Sequence, residues 1–394
     1  MLSIYSEKHD QEFIKKKNQL LILDMVRKHR PVSRAEIAKL IRMSPTSVGR
    51  IVSDLIEIGL VKETNQFSSG VGRKATMLDI DVQQILSVGV EVDRSVIQVG
   101  LVDLDGRVVA EQHHVIERTA GQPGIVAEKI ASMIIGLADT QGIAASKFIG
   151  VGIGTPGIMD TITGNVVFSA QMGWTNEPFA KMVETKINLP VVLDNDLKVK
   201  ALGESSIDAM SNKEITALIS IGSGVGSALV MDGKIYRGAN NIAGEIGHST
   251  IDPNGKLCEC GKRGCLQTYI TDLAMLQEAN QIKPVSSVNE LFALMRAGEA
   301  WAHNIIDRAC TYIAVTINNV VCTYNPDTII LTGDFIENHP EVFETVRSKS
   351  KAFIWEPFIG TFELIRSKHG EKSVMVGAAK LVLQQRLDRG LQHK

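Results

Sequence analysis

One imidazole and three thiols fall within an eighteen-residue stretch of this 394-residue chain. They belong to His248, Cys258, Cys260 and Cys265. Thiolates and imidazole are ligands that zinc prefers, and four of them complete its tetrahedron without leaving a position for water. The spacing therefore predicts a structural Zn²⁺ site, which we expect to fix the loop at 252–264. The alternative is a set of separate buried cysteines and a surface histidine; Cys310 and Cys322 lie on apolar stretches and are expected in the core.

Three helices are predicted in the first 60 residues. Apolar spacing predicts the first over 11–28. Ser33 begins the second with a capping box, and Ser44 before a proline begins the third. Two short helices joined by a tight turn form a helix-turn-helix, whose second helix lies in the major groove of DNA. Its candidate DNA contacts are Ser44, Thr46, Ser47 and Arg50. A small helical bundle with solvated polar faces is the alternative.

A hairpin that would form a wing follows these helices. Residues 60–62 can pair with 77–78, and the loop between them ends in Gly72, Arg73 and Lys74. Glycine permits close backbone approach and arginine can enter a narrow minor groove, although a flexible tip with solvated cations is the alternative.

The net charge is unevenly distributed. Residues 1–80 carry 14 Lys/Arg and 9 Asp/Glu, or +5, whereas the whole chain is −2 and the remainder therefore −7. A basic head on an acidic body favours binding of a polyanion by the head alone.

Beyond residue 85 the chain has the alternation of strands and helices that is typical of an α/β protein. The predicted strands are 85–92, 96–103, 148–153, 191–193, 217–221 and 328–331. The predicted helices are 125–137, 302–321 and 374–387. A body of about 300 residues exceeds the size of a single core, so two lobes around a cleft are expected.

The composition, with 44% hydrophobic and 22% charged residues, is that of a globular protein. No stretch is long and apolar enough to cross a membrane, and the N-terminus lacks the apolar core of a secretion signal. Five cysteines in so long a chain do not form a disulfide scaffold. A reduced, cytoplasmic location without membrane contact is therefore expected.

Three ordered motifs resemble the signature of the ROK family (repressors, open reading frames, kinases). They are Ile-Gly-Ser-Gly-Val-Gly-Ser-Ala at 221–228, Gly-Glu-Ile-Gly-His at 244–248 and Cys-Glu-Cys-Gly-Lys-Arg-Gly-Cys at 258–265. With the N-terminal head, the chain is similar to the repressor branch, which regulates sugar uptake and use. The resemblance implies a winged helix-turn-helix followed by a two-lobed, actin-like body of the sugar-kinase type with ribonuclease-H-like sheets. We expect a head at 1–81, a first lobe at 82–197 completed by the C-terminal helix 374–394, and a second lobe at 198–373 with the zinc site and sugar cleft.

The resemblance also implies which residues bind a sugar. An Asn and an Asp at one family motif, and a Glu and a His at the next, hold sugar hydroxyls. Those roles fall here on Asn195, Asp196, Glu245 and His248. His248 can serve both sites if one ring nitrogen binds the metal and the other the sugar. The family usually has a Glu where this chain has Gln267, an amide that both donates and accepts, so the orientation or class of the sugar can differ. Gly157 can add a backbone contact and Trp174 a wall.

The enzymatic alternative is an ATP-dependent hexose kinase with Asp196 as its base. Kinases of the family cradle phosphates with Asp-x-Gly-Gly-Thr-Lys, but Asp93 and Arg94 replace the two glycines here. Their side chains would fill the space into which a phosphate must fit. We therefore expect a non-enzymatic repressor of carbohydrate genes, released from operator DNA by a sugar or sugar phosphate. It would act as a homodimer or a dimer of dimers, because two recognition helices must match two half-sites. Control by a protein partner instead of a sugar is a further alternative.

Overall fold

The computed structural model describes residues 15, 18–67, 75–80, 85–116, 121–205 and 215–392. The head contains helix α1 (18–29), β1 (Val32–Ser33), α2 (Arg34–Leu40), α3 (Pro45–Glu57), β2 (Lys62–Phe67) and β3 (Ala75–Asp79). The strands form an antiparallel sheet in the order β1-β3-β2. A wing beside the helices is thus confirmed, although its first strand begins at Lys62 instead of Leu60, which is buried beneath α3. The expected wing-tip residues 72–74 lie outside the described residues.

Local side-chain caps explain where the two helix-turn-helix helices begin. The Glu36 amide donates to Ser33 Oγ at 3.2 Å while the Ser33 amide donates to the Glu36 carboxylate at 2.8 Å, so the predicted capping box is present. Ser44 Oγ accepts from the Ser47 amide at 3.1 Å and starts α3 in the same way. Val48, Ile51, Val52 and Leu55 are all buried. Gly59, with φ of 78°, lets the chain turn after α3.

The first lobe is built on a five-stranded sheet. Its elements are β4 (Leu86–Val92), β5 (Val96–Asp103), β6 (Val108–Val115), α4 (Pro123–Thr140), β7 (Phe148–Thr155), β8 (Ile158–Asp160), β9 (Asn165–Ser169), β10 (Trp174–Glu177), α5 (Phe179–Ile187) and β11 (Val191–Asn195). The strand order is β11-β7-β4-β5-β6, with β4, β5 and β6 antiparallel and β7 and β11 parallel to β4.

The second lobe repeats this topology. Helix α6 (Asp196–Glu204) connects the two lobes, and α13 (Ser373–Gln392) packs on the sheet of the first lobe. The elements of the second lobe itself are β12 (Ile215–Ile221), β13 (Val225–Met231), β14 (Lys234–Tyr236), α7 (Gln267–Ile270), α8 (Asp272–Ala279), α9 (Val288–Arg296), α10 (Ala300–Tyr324), β15 (Thr328–Thr332), α11 (Asp334–Glu337), α12 (Pro340–Phe353) and β16 (Glu363–Arg366). Its strand order is β14-β13-β12-β15-β16. Each sheet therefore consists of an antiparallel meander followed by two parallel strands, and the predicted strands and helices of the body are confirmed.

Helices α6 and α13 pack between the two sheets at very short distance. A Cβ on Gly377 of α13 would lie 1.8 Å from the carbonyl oxygen of Val199, and one on Gly203 of α6 would lie 2.2 Å from that of Ser373. Only glycine fits at this crossing. Ala201 of α6 also lies in the apolar cluster beneath the second sheet. The expected division of the lobes at 197/198 thus falls within a helix that contacts both of them.

The head is attached to the body by apolar and charged contacts. Leu387 near the end of α13 and Leu104 after β5 lie in the same hydrophobic cluster as α1 and α3. Arg27 of α1 donates to Asp24 and to Asp105 Oδ1, the latter at 3.0 Å.

None of the described helices is long and apolar enough to cross a bilayer. Cys310 is buried as expected, but Cys322 is exposed because it lies on the outer face of α10.

Candidate functional site

The predicted zinc ligands come together in one cluster. One ligand atom from each of His248, Cys258, Cys260 and Cys265 lies within 4.8 Å of all the others. His248 Nδ1 is 3.8 Å from Cys258 Sγ, and Cys260 Sγ is 3.6 Å from Cys265 Sγ. The ring therefore turns Nδ1 towards the thiols and leaves Nε2 directed away from that contact.

The chemistry of this donor set fits a tetrahedral cation. The backbone amide of Lys262 lowers the pKa of Cys260 to about 7, while desolvation raises the pKa of Cys265 to about 12. A cation at the centre would favour the thiolate form of both, because its charge compensates the desolvation. Short bridges between Thr250 and Cys265 and between Leu257 and Arg263 hold the loop that carries the thiols.

Gln267, expected at the sugar, contacts the cysteine cluster. Its Nε2 donates to Cys258 Sγ at 3.4 Å and to Glu259 Oε1 at 3.0 Å. A donor to a ligating sulfur orients the ligand and tunes its charge. A sugar contact by Gln267 stays a prediction, but its position next to the thiols was not evident from the sequence.

The end of β11 and the start of α6 carry the first pair of expected sugar ligands. Asn195 Oδ1 accepts from the Lys198 amide at 3.2 Å and so caps α6, while Asn195 Nδ2 donates to the Gly157 carbonyl at 3.2 Å. The structure thus brings together two of the expected sugar ligands, Asn195 and Gly157, and their contact with a sugar stays a prediction. Burial raises the pKa of Asp196 in the first turn of α6 to about 6, although the Leu197 amide opposes the rise.

The second pair of expected ligands follows β14. Glu245 and His248 are exposed and flank a single 3₁₀ turn. The preceding Gly244 carbonyl accepts from the Ser227 amide at 2.8 Å, which fixes this segment to β13. Trp174 is not a wall of the cleft: its side chain is buried in the first lobe, where its Nε1 donates to the Gly121 carbonyl at 2.7 Å.

Acidic side chains lie at and just before the turn between β4 and β5, where the family resemblance predicts the phosphates of a kinase to bind. Asp93 closes a tight turn, with its amide donating to the Val96 carbonyl at 2.9 Å and its Oδ1 accepting from the Arg94 amide at 2.7 Å. Glu91 Oε2 is buried and has no hydrogen-bond partner among the described residues. Burial, reinforced by Asp196, raises the pKa of Glu91 to about 8. A phosphate brought close to this carboxyl would disfavour its ionisation further, because a like charge raises the pKa of an acid.

Lys200, whose charge acts on both Glu91 and Asp196, is engaged in a contact within the protein. Lys200 of α6 forms an ion pair with Glu337 Oε1 at 3.5 Å, and the Gly333 amide donates to the same oxygen at 3.2 Å. Neither Glu91 nor Lys200 stood out in the sequence, since one lies in an apolar strand and the other on a helix face with no motif.

The expected DNA contacts lie on the outer face of α3. Thr46 and Arg50 are exposed, opposite the buried face of that helix, and Ser47 is half-buried. Ser44 is exposed, but its hydroxyl is engaged in the helix cap and donates to Ser47 Oγ at 2.8 Å. The face therefore offers a guanidinium and hydroxyls at the N-terminal end of the helix, where recognition helices contact base edges.

These observations define a winged helix-turn-helix head on a two-lobed body of the actin-like, sugar-kinase type. Residues 87–385 match the ROK family and residues 15–62 match a winged helix-turn-helix DNA-binding domain. The chain belongs to the ROK family.

Two relatives extend the comparison over both parts of the chain. The xylose repressor of Bacillus spizizenii is 30% identical over 379 residues, covering 96% of this chain and 98% of the relative. The DNA-binding transcriptional dual regulator NagC of Escherichia coli is 25% identical over 381 residues, covering 94% and 93%. Both alignments include the head.

Solved structures match either nearly the whole chain or about three quarters of it. A ROK family transcriptional regulator described as a homologue of the E. coli MLC protein matches with a TM-score of 0.79 and 23% identity, over 96% of this chain and 98% of that one. The ROK hexokinase of Thermus thermophilus matches with a TM-score of 0.66 and 25% identity, over 76% of this chain and 100% of that one. The fold of the whole chain thus matches the regulator, whereas the complete hexokinase matches only part of it.

Proposed function

We propose that this protein is a DNA-binding transcriptional regulator that represses carbohydrate genes and leaves its operator when a sugar binds the cleft. The observation that carries this is the combination of a capped recognition helix with a kinase-type body whose phosphate site holds Glu91 and Asp93. The curated relatives that align over the head are named as repressors or a transcriptional regulator. The protein would act at operator DNA in the cytoplasm.

DNA contact would be divided between the recognition helix and the wing. Thr46, Ser47 and Arg50 would face base edges in the major groove, with Ser44 fixing the helix start. Residues 72–74 would contact the minor groove or backbone. Two heads are needed to read two half-sites, so a homodimer is the expected functional unit.

The sugar would lie between the two lobes. Asn195 and Asp196 offer an amide and a carboxylate from the first lobe, and Glu245 and His248 offer a carboxylate and an imidazole from the second. Gly157 would add its backbone. The nearby carboxylates favour an uncharged sugar over a sugar phosphate, because phosphate would be repelled. D-xylose is the first candidate, since several relatives are named xylose repressors.

A structural Zn²⁺ held by His248 and the three cysteines would supply rigidity to the second half of the sugar site. With His248 Nδ1 on the metal, Nε2 would remain for the sugar, and the metal would fix the tautomer. Four protein ligands leave no open position on zinc, so a hydrolytic role for it does not arise.

Catalysis by this chain is disfavoured by the same residues. A kinase must bring the γ-phosphate beside Asp196, yet the charge of Asp93 acts on Asp196 and the buried carboxyl of Glu91 lies in the same region. Lys200 is already paired with Glu337, so it is not free to neutralise a phosphate.

A fluorescence-anisotropy titration tests the proposal. Labelled duplexes from the region around the gene would be titrated with the protein, alone and with D-xylose, D-glucose, N-acetylglucosamine or its 6-phosphate. We expect tight binding to one duplex and release by one unphosphorylated sugar. Equal affinity for all duplexes, with no effect of any sugar, would contradict it.

A further inference from the structure

A buried lysine on α6, the helix that connects the two lobes, lies beside the proposed sugar site. Lys198, in the first turn of α6, has only 3% of its surface exposed. Its Nζ donates to the backbone carbonyl of Asn241 and, at 3.1 Å, to Asn241 Oδ1. Asn241 lies in the loop 237–243, which leads from β14 to the segment that carries Glu245 and His248.

Two further contacts attach the same loop to the first lobe. Arg237 pairs with Asp194, a carboxylate with no exposed surface at the end of β11. Asn241 Nδ2 donates to the Met159 carbonyl of β8 at 2.8 Å. We call these five residues, Met159, Asp194, Lys198, Arg237 and Asn241, the inter-lobe clasp.

The clasp lies between the two halves of the proposed sugar site. Asp194 directly precedes Asn195, and Lys198 follows Asp196 by two residues, whereas Asn241 precedes Glu245 by four. Burial lowers the pKa of Lys198, while the charges of Asp194, Glu245 and Asp196 act to raise it. The ammonium group therefore lies in the field of carboxylates from both lobes and reduces their mutual repulsion.

The opposite end of α6 holds a different set of contacts. Glu204 accepts from Ser367 Oγ at 2.6 Å and from the amides of Lys368 and His369 at 2.8 and 3.0 Å. Lys198 and Glu204 are six residues apart, which is about 9 Å along a helix. The lobes can therefore stay attached at Glu204 and at the α6–α13 crossing even if the clasp opens.

We propose that the clasp assembles the sugar site and that Lys198 is its positioning residue. It holds Glu245 and His248 opposite Asn195 and Asp196, so an uncharged sugar that bridges the two pairs binds tightly only while the clasp is closed. By linkage, the sugar favours the closed arrangement of the lobes. This inference rests on the proposed function.

The decisive variant is Lys198→Met, which keeps the length and removes the charge. We expect its affinity for the releasing sugar, measured by calorimetry with D-xylose and the rest of the panel, to fall about 10- to 100-fold. Operator affinity without sugar should not fall, because loss of the clasp works against the closed arrangement that the sugar favours. Lys200→Met is the matched control, because Lys200 lies on the same helix but pairs with Glu337, outside the clasp. The sugar affinity of this variant should change less than about threefold.

A double-mutant cycle with Asn241→Gly separates positioning from a general structural role. Glycine accepts the positive φ of 58° at this position and removes the side-chain partner of Lys198. If the two residues act as one clasp, the double variant loses no more sugar affinity than the single variant that has the larger loss. Fully additive losses would overturn the inference. Hydrogen exchange of residues 237–247 should also accelerate in both single variants, with sugar no longer slowing it.

The outcomes distinguish the clasp from the function on which it rests. If the unsubstituted protein binds no sugar of the panel, both the proposed function and the clasp are wrong. If it binds a sugar and Lys198→Met binds it equally well, the clasp is wrong and the regulator stands. Should Lys198→Met not fold, Asn241→Gly carries the test alone: weakened sugar binding supports the clasp and unchanged binding overturns it.

Discussion

Glu91 provides a sharp test of the acidic cleft through the pH dependence of stability. Its buried carboxyl, whose pKa is raised from 4.5 to about 8, keeps its proton in the folded chain at pH values where the unfolded chain has lost it. Because the folded state then binds more protons, stability is greatest below the unfolded pKa and falls as pH rises through the folded pKa. Each pH unit in that window costs about 1.4 kcal/mol, so the loss between pH 5 and pH 7 is about 3 kcal/mol.

Glu91→Gln removes this titration while keeping the shape of the protonated acid. We expect the variant and the unsubstituted protein to melt at similar temperatures at pH 5, and the variant to melt roughly 5 °C higher at pH 7 and above. Calorimetry or circular dichroism across pH 5 to 9 measures the difference. Glu128→Gln is the control, since its carboxylate is exposed and pairs with Lys186 at the surface. Parallel pH profiles for Glu91→Gln and the unsubstituted protein would refute the account of this site.

Four other changes follow from the structure. Gln267→Leu should weaken zinc binding about 10-fold by removing the donor to Cys258 Sγ, as competition with a chelating dye would show, and unchanged affinity would exclude that role. Cys260→Ser should lose the metal and lower the melting temperature, which metal analysis and calorimetry test; full zinc occupancy would contradict the ligand assignment. Arg50→Ala should weaken operator binding about 10-fold or more without altering sugar affinity, and equal loss of both would argue for misfolding. Leu387→Ala should lower the free energy of unfolding of the head by about 3 kcal/mol and speed hydrogen exchange in α1 and α3. Unchanged exchange would show that Leu387 does not stabilise the head.

Features set by local rules were predictable from the sequence. The capping box of Ser33 and Glu36 depends on four consecutive residues, and both helix starts are confirmed. The metal cluster was also predictable, because three of its four members lie within one short loop and their ligand chemistry is distinctive.

Features set by packing between distant segments were not predictable. The close crossing joins Gly377 to Gly203, 174 positions away, and although small residues at 377–379 favour close packing, no local signal names the partner. The burial of the Glu91 carboxyl depends on segments distant in sequence, since the charges that act on it include those of Asp196 and Glu371. Trp174 was assigned to the cleft on its residue type alone, whereas the structure buries it in the first lobe.

The most direct test of the central claim measures sugar and operator binding on the same sample. The claim is that sugar binding in the cleft weakens DNA binding by the head. Sugar must then lower operator affinity by the same factor by which operator DNA lowers sugar affinity. Calorimetric titration of the sugar with and without operator, beside an assay of ATP consumption, measures both sides. We predict equal factors and no consumption of ATP with any sugar; sugar-dependent ATP consumption, or a sugar affinity indifferent to operator DNA, would contradict the account.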